Sequence, residues 1–577
     1  MEKWILNKKN LILDSLVTEI KKDKKIALSD FTLKYLILNG FDTPKKIKEV
    51  MYFRESDIPS CEGLKDVEKF TNRCFQALTN DEKVVIYGDY DNDGISATAI
   101  AMRGFRNLNI QVDYFINNRF TEGYGICKKG IDRMLGLYPN TKLIITLDNG
   151  ISAFEGIDYA RSLGIDVIVA DHHEPKEDGS LPSALAIVDA KRLDDTYPFK
   201  DLCGAGLIYK LLCHMYHLLS LDVEQLHSLL AYVASATIGD VVSLTFENRY
   251  YVKEGIKEVK EENLLCFKTL NTLNKVSDVT EETFGYLYVP IINAVGRMEG
   301  NVDLAVEFYL CDDVIESEYL AKKLIEINKQ RKNLCASEQE KAEKALALHP
   351  KQRAIVLVMD DLHEGIVGIV AGRLKEEYQC PVLVLTKVQG EDIYKGSGRS
   401  VQGFNLKKAL DLLSADLIGY GGHELAAGLS LKKDKLNNFR EAFYRLANDE
   451  TFNHQDKNKK LVVDFSLKEQ DLSLRMIYAL NTELRPFGAG FPIPVIGLQG
   501  FEVEKECSLP SNALPEDRKH VKLSNGNVEV IWFNGWASYQ ALGKPKRIKC
   551  IGFPSVNFFR NKQTIQFRVE NNRIRES

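Results

Sequence analysis

Short apolar runs alternate with amphipathic stretches through the first half of the chain. The runs Val84–Tyr87, Leu143–Leu147 and Val167–Ala170 have the length of strands, whereas Ala153–Leu163 and Leu226–Ala236 repeat apolar residues at helical spacing. Parallel strands need a long crossover connection, so strands that alternate with helices are typical of a parallel sheet. The pattern predicts an α/β domain in this part of the chain.

The middle of the chain has the pattern of one long helix. From about residue 315 to residue 348, Leu320, Leu324 and Ile327 lie on one stripe, and Pro350 marks the end of the pattern. The many Lys and Glu residues around this stripe favour a solvated face over a binding patch. We therefore predict a long amphipathic connector.

Two further regions follow the predicted connector. Ala354–Val358 begins a second stretch with the α/β pattern. From about Leu461 to the end, β-rich runs such as Val528–Phe533 and Thr564–Val569 alternate with turn-rich links. Short strands with frequent turns predict a small all-β barrel.

Acidic and imidazole side chains follow the apolar runs of the first half. They are Asp89, Asp91 and Asp93 after the first run, Asp148 after the second, Asp171, His172 and His173 after the third, and Asp240 after Ala234–Gly239. If all four runs are parallel strands, their carboxyl ends meet at one edge of the sheet. Carboxylates crowded there would repel one another unless cations lay between them, and this mixed donor set suits Mn²⁺, Mg²⁺ or Zn²⁺. The sequence predicts a metal-dependent enzyme, with two ions as the favoured arrangement.

Each of these signals also has a structural interpretation. An Asp after a strand is often a helix N-cap, which applies to Asp148 and Asp240, and Asp91 and Asp93 could form an Asx turn. Successive side chains are expected to diverge, so His172 and His173 are not expected to bind one metal together. Four such signals in one half of a chain favour the metal site over these alternatives.

Composition limits the class of protein. A chain of 577 residues exceeds the size at which one core keeps growing, so about three domains are expected. A net charge of −5 argues against a generally basic nucleic-acid coat, so any DNA track must be local. The 11 Cys include no Cys-x-x-Cys pair, and no signal peptide or membrane span is visible. We expect a cytoplasmic protein without a membrane partner.

The ordered motifs resemble those of the DHH phosphoesterase superfamily. They are Asp89–Gly94, Asp148–Gly150, Asp171–His173 and Gly239–Val242. Within that superfamily the chain resembles the RecJ family of exonucleases, which share the motifs at Asn118–Gly125, Tyr197–Lys200 and Ile292–Arg297. The resemblance covers nearly the whole chain beyond its first few dozen residues.

The resemblance implies an α/β fold of two α/β domains joined by a long helix, followed by a C-terminal OB-fold barrel. The expected boundaries are an N-terminal helical segment at 1–50, a DHH catalytic domain at 51–310, the connecting helix at 311–350, a DHH-associated substrate-binding domain at 351–455 and the OB-fold at 456–577. In the connecting helix, Asn328, Arg331 and Lys332 match an element of the family.

The resemblance also implies a set of catalytic and metal-binding residues. They are Asp91, Asp93, Asp148, His172 and Asp240 as ligands of two Mn²⁺ or Mg²⁺ ions, with Asp89 as a further ligand or partner of one, and His173 as a catalytic residue. Asp148 would bridge the ions, His173 would contact the scissile phosphate, and Asp171 would orient an imidazole. The family often has His where this chain has Tyr87, and a protonated phenol is a poor ligand.

Substrate contacts are expected from the second α/β region. Small residues around Arg399 permit the close approach of an anion, which the guanidinium can hold through two hydrogen bonds. Glycine clusters alone would equally mark turns. With the resemblance, the expected substrate-binding residues are Asn293, Arg297, Arg373, Ser397, Arg399, Ser400 and His423. The usual Arg before the Ile-Asn-Ala motif is Ile291 here, so one substrate-side cation is absent.

The C-terminal region combines positive charge with aromatic residues. From Ala541 to Ser577 there are nine Lys or Arg and two Glu. With Trp532, Trp536, Phe558 and Phe559 this suits an OB-fold that holds single strands by charge and stacking, although about half of these aromatics would be expected in the core. After Pro486-Phe487-Gly488, the usual Asn is replaced by Phe491.

The expected function is metal-dependent hydrolysis of single-stranded DNA. The resemblance implies 5′ to 3′ degradation to mononucleotides in DNA repair and recombination, with single-stranded DNA as the substrate and a single-strand-binding protein and a helicase as partners. Two alternatives are a DHH phosphodiesterase of cyclic dinucleotides or short oligonucleotides and a non-catalytic DNA-binding relative. The basic barrel argues against the first, and the intact carboxylates argue against the second.

Overall fold

The protein is described by a computed structural model that covers residues 3–347, 353–454, 460–509, 519–559 and 562–577. Its contacts divide it into two compact units. The terminal unit comprises Met1–Ile58, Ser243–Tyr250 and Asn458–Ser577, and the central unit comprises Pro59–Val242 and Tyr251–Lys457. Within the described residues, no helix combines the length and the apolarity needed to cross a membrane.

The N-terminal segment is mainly helical. It consists of β1 (Lys3–Leu6), α1 (Leu13–Ile20), α2 (Asp30–Leu38) and α3 (Pro44–Met51). The start of α2 follows from a cap, because the Ser29 side chain accepts a hydrogen bond from the backbone N–H of Thr32.

The central unit begins with a parallel sheet. Its strands are β2 (Lys83–Gly88), β3 (Val112–Ile116), β4 (Thr141–Leu147), β5 (Asp166–Ala170) and β6 (Ala186–Val188). Their order is β3-β2-β4-β5-β6, and all neighbours are parallel. The three apolar runs predicted as strands are β2, β4 and β5, so their carboxyl ends do meet at one edge.

Crossover helices cover this sheet. They are α4 (Val67–Thr79), α5 (Asn92–Asn107), α6 (Lys128–Leu137), α7 (Phe154–Ser162), α8 (Gly204–Leu218) and α9 (Leu230–Gly239). The prediction of a fourth strand before Asp240 is wrong, because Ala234–Gly239 is the end of α9 and Asp240 is its C-cap. A short apolar run has the same appearance in a buried strand and a buried helix, and here it packs against α5 and α8.

A helical region follows and ends in the predicted long helix. Its helices are α10 (Phe246–Lys260), α11 (Leu265–Asn274), α12 (Glu281–Thr283), α13 (Val289–Met298), α14 (Asp303–Leu310) and α15 (Val314–Ala347). A π-helical turn, Phe284–Tyr288, joins α12 to α13. The 34 residues of α15 bury the predicted stripe of Leu320, Leu324 and Ile327.

The second α/β region of the central unit has a mixed sheet. Its strands are β7 (Ile355–Val358), β8 (Val382–Lys387), β9 (Ile393–Arg399), β10 (Gly419–Gly422) and β11 (Ala426–Lys432), in the order β10-β11-β9-β8-β7. Only β7 and β8 pair in parallel among these strands. The accompanying helices are α16 (Val367–Tyr378), α17 (Leu406–Leu412) and α18 (Leu436–Asn448).

The terminal unit is completed by the C-terminal strands. β12 (Lys460–Val463) pairs in parallel with β1. A seven-stranded sheet contains β13 (Phe465–Leu467), β14 (Ile496–Glu502), β15 (Lys505–Leu509), β16 (His520–Ser524), β17 (Val528–Trp532), β18 (Arg547–Phe559) and β19 (Lys562–Glu576), with the short helices α19 (Leu474–Tyr478) and α20 (Trp536–Ala541).

The aromatic residues predicted to stack on bases have different environments. Trp532 is fully buried in the core of the sheet, so it cannot stack on a base. Trp536 is half-buried, and the side chains of Phe558 and Phe559 lie outside the described residues. Phe533, which the sequence reasoning did not select, is 51% exposed.

Candidate active site

The first part of the site is the loop between β2 and α5. The Asp91 side chain caps α5 by accepting hydrogen bonds from the backbone N–H groups of Asp93 (2.9 Å) and Gly94 (3.2 Å). A Cβ at Gly94 would lie 2.4 Å from the carbonyl oxygen of Asp89, so the loop needs glycine there. Asp91 is therefore the N-cap of α5, where the sequence offered an Asx turn as the structural alternative, and this role leaves the second carboxylate oxygen of Asp91 available.

The Asp93 carboxylate lies at the amino end of α8. Its two oxygens accept hydrogen bonds from the backbone N–H groups of Gly204 (2.7 Å) and Ala205 (2.8 Å). The positive end of the helix dipole stabilises a negative charge at this place. A Cβ at Gly204 would lie 2.7 Å from the Cβ of Asp148, so this glycine permits α8 to approach the carboxylates.

Asp148 lies between the other acidic groups. It follows β4 directly with a φ of 61°, and Asp is among the residues that adopt this left-handed conformation most readily. Its Oδ1 is 3.0 Å from the Nε2 of His172.

The loop after β5 brings Asp171, His172 and His173 to the same edge. His172 Nε2 lies 3.4 Å from Asp93 Oδ2 and 3.7 Å from Asp240 Oδ2. His173 Nδ1 lies 2.8 Å from Asp171 Oδ1, which agrees with the predicted role of Asp171 in orienting an imidazole. Buried His172 Nδ1 has no hydrogen-bond partner among the described residues.

The two imidazoles do not diverge as expected. Their ring centroids are 4.6 Å apart, because β5 ends at Ala170 and the alternation of an extended strand no longer applies. The expectation that His172 and His173 point apart is therefore wrong.

Donor atoms within 4.8 Å of one another form three overlapping groups. They are Asp89 with Asp91 and Asp148, Asp93 with His172 and Asp240, and Asp148 with His172 and His173. Asp148 belongs to two of these groups. The arrangement offers two adjacent positions for cations, with Asp148 shared between them.

Burial and mutual repulsion make these carboxylates hard to ionise without cations. The pKa values of Asp89 and Asp148 are raised well above the ordinary range by burial and by neighbouring carboxylates. Burial, with the repulsion of Asp91 and other neighbours, raises the pKa values of Asp93 and Asp240 to about 6. Cations between these groups would remove the penalty, so the residues present fit a pair of divalent ions.

Asp171 and His173 form an ion pair beside this cluster. Burial opposes ionisation of both groups, but the hydrogen bond between them raises the pKa of His173 to about 9 and lowers that of Asp171 to about 2. His173 is partly exposed, so its charge faces the accessible side of the cluster.

Tyr87 is not directed at the carboxylates. Its buried hydroxyl donates a hydrogen bond to Oδ1 of Asn117, and burial raises the pKa of the phenol. This agrees with the prediction that Tyr87 is not a metal ligand.

A cavity of about 240 Å³ in the central unit is lined by cationic side chains. They are Arg119, Arg297, Arg399 and Lys395, with Ser397 and Glu364. The Arg399 guanidinium donates hydrogen bonds to Ser397 Oγ and to the carbonyl oxygen of Gly398, both at 2.8 Å. Burial and the neighbouring charge of Arg119 lower the pKa of Arg297 to about 10. Crowded guanidiniums in a small cavity make an anion site, which we call the arginine pocket.

Helix α13 connects the loop of the first motif with the arginine pocket. Asn293 Oδ1 accepts a hydrogen bond from the backbone N–H of Asn92 (2.8 Å), and a Cβ at Gly296 would lie 2.8 Å from the carbonyl oxygen of Tyr90. At the other side, a Cβ at Gly365 would lie only 1.7 Å from the carbonyl oxygen of Arg297. These close approaches fix the pocket relative to the carboxylates.

The predicted substrate residues do not all line the pocket. Ser400 is buried and its hydroxyl donates to the carbonyl oxygen of Phe404 (2.7 Å), and its role in substrate binding stays a prediction. Asn293 contacts the loop of the first motif instead. Arg373 is exposed on α16, and His423 is exposed at the β10–β11 turn, where its Nδ1 accepts a hydrogen bond from Leu425 N–H (3.4 Å).

Two residues of the site were not selected from the sequence. Arg119 lines the pocket, and its guanidinium lies 4.8 Å from the centre of the Tyr90 ring. Tyr124 lies beside His173, with a ring-centroid distance of 5.9 Å. Both belong to the motif Asn118–Gly125, so the signal was present without an assigned role.

Comparisons with known families agree with this geometry. The chain matches the DHH family, N-terminal domain, over residues 83–237, the DHHA1 domain over 351–449 and the RecJ OB domain over 463–571. It is 31% identical over 560 residues to the single-stranded-DNA-specific exonuclease RecJ of Bacillus subtilis, covering 96% of this chain and 69% of that protein. The chain belongs to the RecJ family.

Solved structures of RecJ proteins share the fold. RecJ from Thermus thermophilus in complex with Mn²⁺ has a TM-score of 0.80 at 24% identity, over 100% of this chain and 79% of that chain. A second match, an exonuclease RecJ bound to manganese, has a TM-score of 0.58 at 28% identity, over 67% of this chain and 95% of that chain. The DHH, DHHA1 and OB regions are thus features that this chain has in common with the RecJ family.

Proposed function

We propose that the protein is a metal-dependent exonuclease that hydrolyses single-stranded DNA from the 5′ end to mononucleotides. The observation that carries this proposal is the pairing of a buried carboxylate cluster with an arginine pocket through the single helix α13. A metal-dependent phosphodiesterase needs a carboxylate cluster that can hold its ions. An enzyme that selects one end of a strand also needs a site that binds the terminal phosphate, and the arginine pocket can provide it. Membership of the RecJ family supports the substrate class and a role in DNA repair and recombination.

The carboxylate cluster would hold two Mn²⁺ or Mg²⁺ ions. We assign Asp89, Asp91 and Asp148 to one position and Asp93, Asp148, His172 and Asp240 to the other. When bound, such ions supply Lewis-acid activation of water and neutralise charge on the phosphate. The backbone amides of Gly204 and Ala205 orient Asp93, and Asp148, which has an αL backbone, would be shared by the two positions.

His173 would bind the scissile phosphate. Its hydrogen bond to Asp171 raises the pKa of His173 to about 9 in the metal-free protein, and Asp171 keeps the ring in one orientation through the 2.8 Å contact. A positioned imidazolium can donate a hydrogen bond to a phosphate oxygen and stabilise the charge that develops there.

The arginine pocket would bind the terminal 5′ phosphate. Arg119, Arg297 and Arg399 together provide more N–H donors than their contacts among the described residues use, and Ser397 orients Arg399. If the pocket holds the terminal phosphate, α13 would present the first phosphodiester bond after that phosphate to the carboxylate cluster. Hydrolysis of that bond would release mononucleotides.

The remaining assignments are extensions of this proposal. We assign the domains to residues 51–310, 351–455 and 456–577, with 1–50 as the N-terminal segment and 311–350 as the connector. The basic OB domain would hold the single strand beyond the active site. A cytoplasmic location and two partners, a single-strand-binding protein and a helicase, stay predictions from the family resemblance.

The proposal is tested with 5′-labelled and 3′-labelled single strands, a blunt duplex and a cyclic dinucleotide, each with Mn²⁺ or EDTA. We expect immediate release of a labelled mononucleotide from the 5′-labelled strand, gradual shortening of the 3′-labelled strand, and no reaction in EDTA. The Asp148→Asn protein, purified identically, controls for contaminating nucleases. Earlier release of the 3′ label would contradict the polarity, and faster consumption of the cyclic dinucleotide would favour the phosphodiesterase alternative.

A further inference from the structure

We propose that Tyr87 and Asn117 are positioning residues that hold Tyr124 against Asp148 and His173. The inference rests on the proposed function, because it concerns the same site, but its contacts are all internal to the central unit. The observation that supports it is a chain of buried hydrogen bonds, which we call the relay. The relay runs from Tyr87 in β2 through Asn117 to the loop that contains Tyr124.

The relay begins with two buried polar side chains. The hydroxyl of Tyr87 donates a hydrogen bond to Oδ1 of Asn117, and Nδ2 of Asn117 donates to the carbonyl oxygen of Gly125 at 2.6 Å. Both side chains are buried, so each hydrogen bond is made in a medium where an unpaired polar group is costly. The orientation of Asn117 is therefore fixed from one side by Tyr87 and from the other by the loop.

Gly130 leaves the space that this pair occupies. A Cβ there would lie 1.9 Å from the Tyr87 hydroxyl and 2.4 Å from Oδ1 of Asn117. A Cβ at position 130 would clash with both side chains, so glycine there permits the hydrogen bond between Tyr87 and Asn117.

The loop that receives this hydrogen bond has a backbone that depends on outside support. Gly123 and Gly125 have φ values of 85° and 70°, a region that favours glycine, and glycine is the residue with the largest backbone freedom to lose. The side chain between them, Tyr124, is 53% exposed. Its position is therefore set by its backbone more than by packing.

The hydroxyl of Tyr124 contacts Asp148 and His173 at the carboxylate cluster. This hydroxyl lies 3.2 Å from the backbone carbonyl oxygen of Asp148 and 3.4 Å from the ring nitrogens of His173. Its ring also contacts Tyr90, with centroids 6.3 Å apart. A shift of the loop would move these contacts at the accessible side of the cluster.

A second hydrogen-bonded link closes the relay. Asn149, next to Asp148, donates from Nδ2 to the carbonyl oxygen of Tyr87 (3.0 Å), and its Oδ1 accepts from the backbone N–H of Ile126 (3.2 Å). Residue 87 is thus connected to the start of the Asp148 loop through its backbone carbonyl, and to the Tyr124 loop through the Tyr87 side chain. Position 87 acts on the reaction through the placement of neighbouring loops and not as a ligand.

The test is a double-mutant cycle of Tyr87→Phe and Tyr124→Phe, measured as kcat and KM on a short 5′-phosphorylated single strand. Each single substitution should lower kcat by about tenfold, the scale on which small misplacements reduce rates, and the double variant should be no worse than the poorer single one. Mn²⁺ affinity by calorimetry should stay unchanged in all three. Tyr216→Phe is the matched control, since that buried hydroxyl contacts the carbonyl oxygen of Gly104 and not the site.

A readout that needs no activity separates this inference from the proposed function. Hydrogen exchange over residues 118–127 should become faster in Tyr87→Phe and in Asn117→Ala, but not in Tyr216→Phe. Unchanged exchange, strictly additive losses of kcat, or weaker Mn²⁺ binding in Tyr87→Phe would each overturn the positioning role. A protein that shows the exchange effect but does not hydrolyse DNA would overturn the proposed function alone.

Discussion

The carboxylate cluster and the arginine pocket have opposite charges but share one principle of construction. In the cluster, burial and repulsion raise the pKa values of Asp89 and Asp148, and in the pocket burial and repulsion lower the pKa of Arg297 to about 10. Each site collects like charges in a place where they destabilise one another. Such an arrangement is stable when a partner of the opposite charge is bound, so cations suit the first site and phosphate suits the second.

The two sites differ in how the chain assembles them. Most of the carboxylates come from the ends of adjacent parallel strands β2, β4 and β5, whereas Arg119, Arg297 and Arg399 come from a loop, a helix and a strand of the second sheet. The cluster is thus local to one sheet, and the pocket depends on close approach at Gly365 and Gly296. Substitutions in the carboxylate cluster should therefore reduce the rate of hydrolysis, whereas substitutions in the arginine pocket should reduce the binding of the substrate.

The largest expected effect is that of Asp148→Asn. Asn tolerates the φ of 61° and matches the size of Asp, so the fold should be kept while the shared carboxylate is lost. We expect kcat to fall by about a thousandfold or more, because both cation positions lose a ligand. Circular dichroism and Mn²⁺ titration accompany the assay, and single-strand affinity should stay within about threefold if the two sites are separate. Near-normal hydrolysis by a folded variant would rule out the shared-ligand assignment.

Acidity should weaken metal binding strongly. Asp93 and Asp240, with pKa values raised to about 6, must lose protons before they bind a cation. If both groups must be ionised, the Mn²⁺ dissociation constant should rise by about thirtyfold between pH 6 and pH 5, because each group is half protonated at pH 6 and about nine-tenths protonated at pH 5. Calorimetry at several pH values, with proton release measured in two buffers, checks this, and a constant affinity from pH 7.5 to 5 would contradict it.

The same pKa shifts fix the sign of a stability effect. A carboxyl group whose pKa is raised in the folded state contributes stability below its ordinary pKa and loses it as the pH rises through about 6. The metal-free protein should therefore lose stability between pH 5 and pH 7. Mn²⁺ should raise the melting temperature more at pH 7.5 than at pH 5, because the ion replaces the missing protons.

The contrast between the sites also explains what could be predicted from the sequence. Asp91, Asp148 and His172 follow clear apolar runs, so their meeting at one sheet edge was predictable from strand spacing. Asp240 was selected on the prediction of a strand over Ala234–Gly239, but that run is the end of helix α9. A short apolar run has the same composition in a buried helix and in a buried strand. The place of Arg119 in the pocket and the orientation of Ser400 depend on how distant segments pack. Local periodicity does not predict the direction of a side chain once a strand has ended.

A smaller effect is expected from Arg399→Ala. Loss of one charge-assisted hydrogen-bond donor should weaken substrate binding by about 1.5 kcal/mol, roughly tenfold in KM, without loss of metal. The matched control is Arg445→Ala, because Arg445 is an exposed arginine of α18 that does not line the pocket. Removing the 5′ phosphate from the substrate should abolish the difference between Arg399→Ala and the unaltered protein. A persistent difference on 5′-hydroxyl DNA would place Arg399 outside the terminal phosphate site.

The smallest effect should come from the terminal unit, where Phe533→Ala tests whether this unit contributes to the binding of single strands. The Phe533 ring is 51% exposed and contacts the His520 ring, with the two ring centroids 5.3 Å apart. One lost stacking contact should cost about 1 kcal/mol, roughly fivefold in affinity for long strands. A point substitution is a better test than a deletion of the C-terminal strands. Strand β1 pairs with β12, and Arg249 donates to the carbonyl oxygens of Leu484 (2.7 Å) and Pro486 (2.6 Å). A deletion would therefore remove the partners of both β1 and Arg249.

Strand length supplies the decisive comparison for Phe533. A tetranucleotide should be bound and cleaved equally by Phe533→Ala and the unaltered protein, whereas a strand of several tens of nucleotides should bind the variant more weakly. Leu474→Ala removes an exposed apolar side chain from the same unit and serves as the control. If Phe533→Ala lowered activity on both lengths alike, the aromatic ring would contribute to the stability of the terminal unit and not to the holding of the strand.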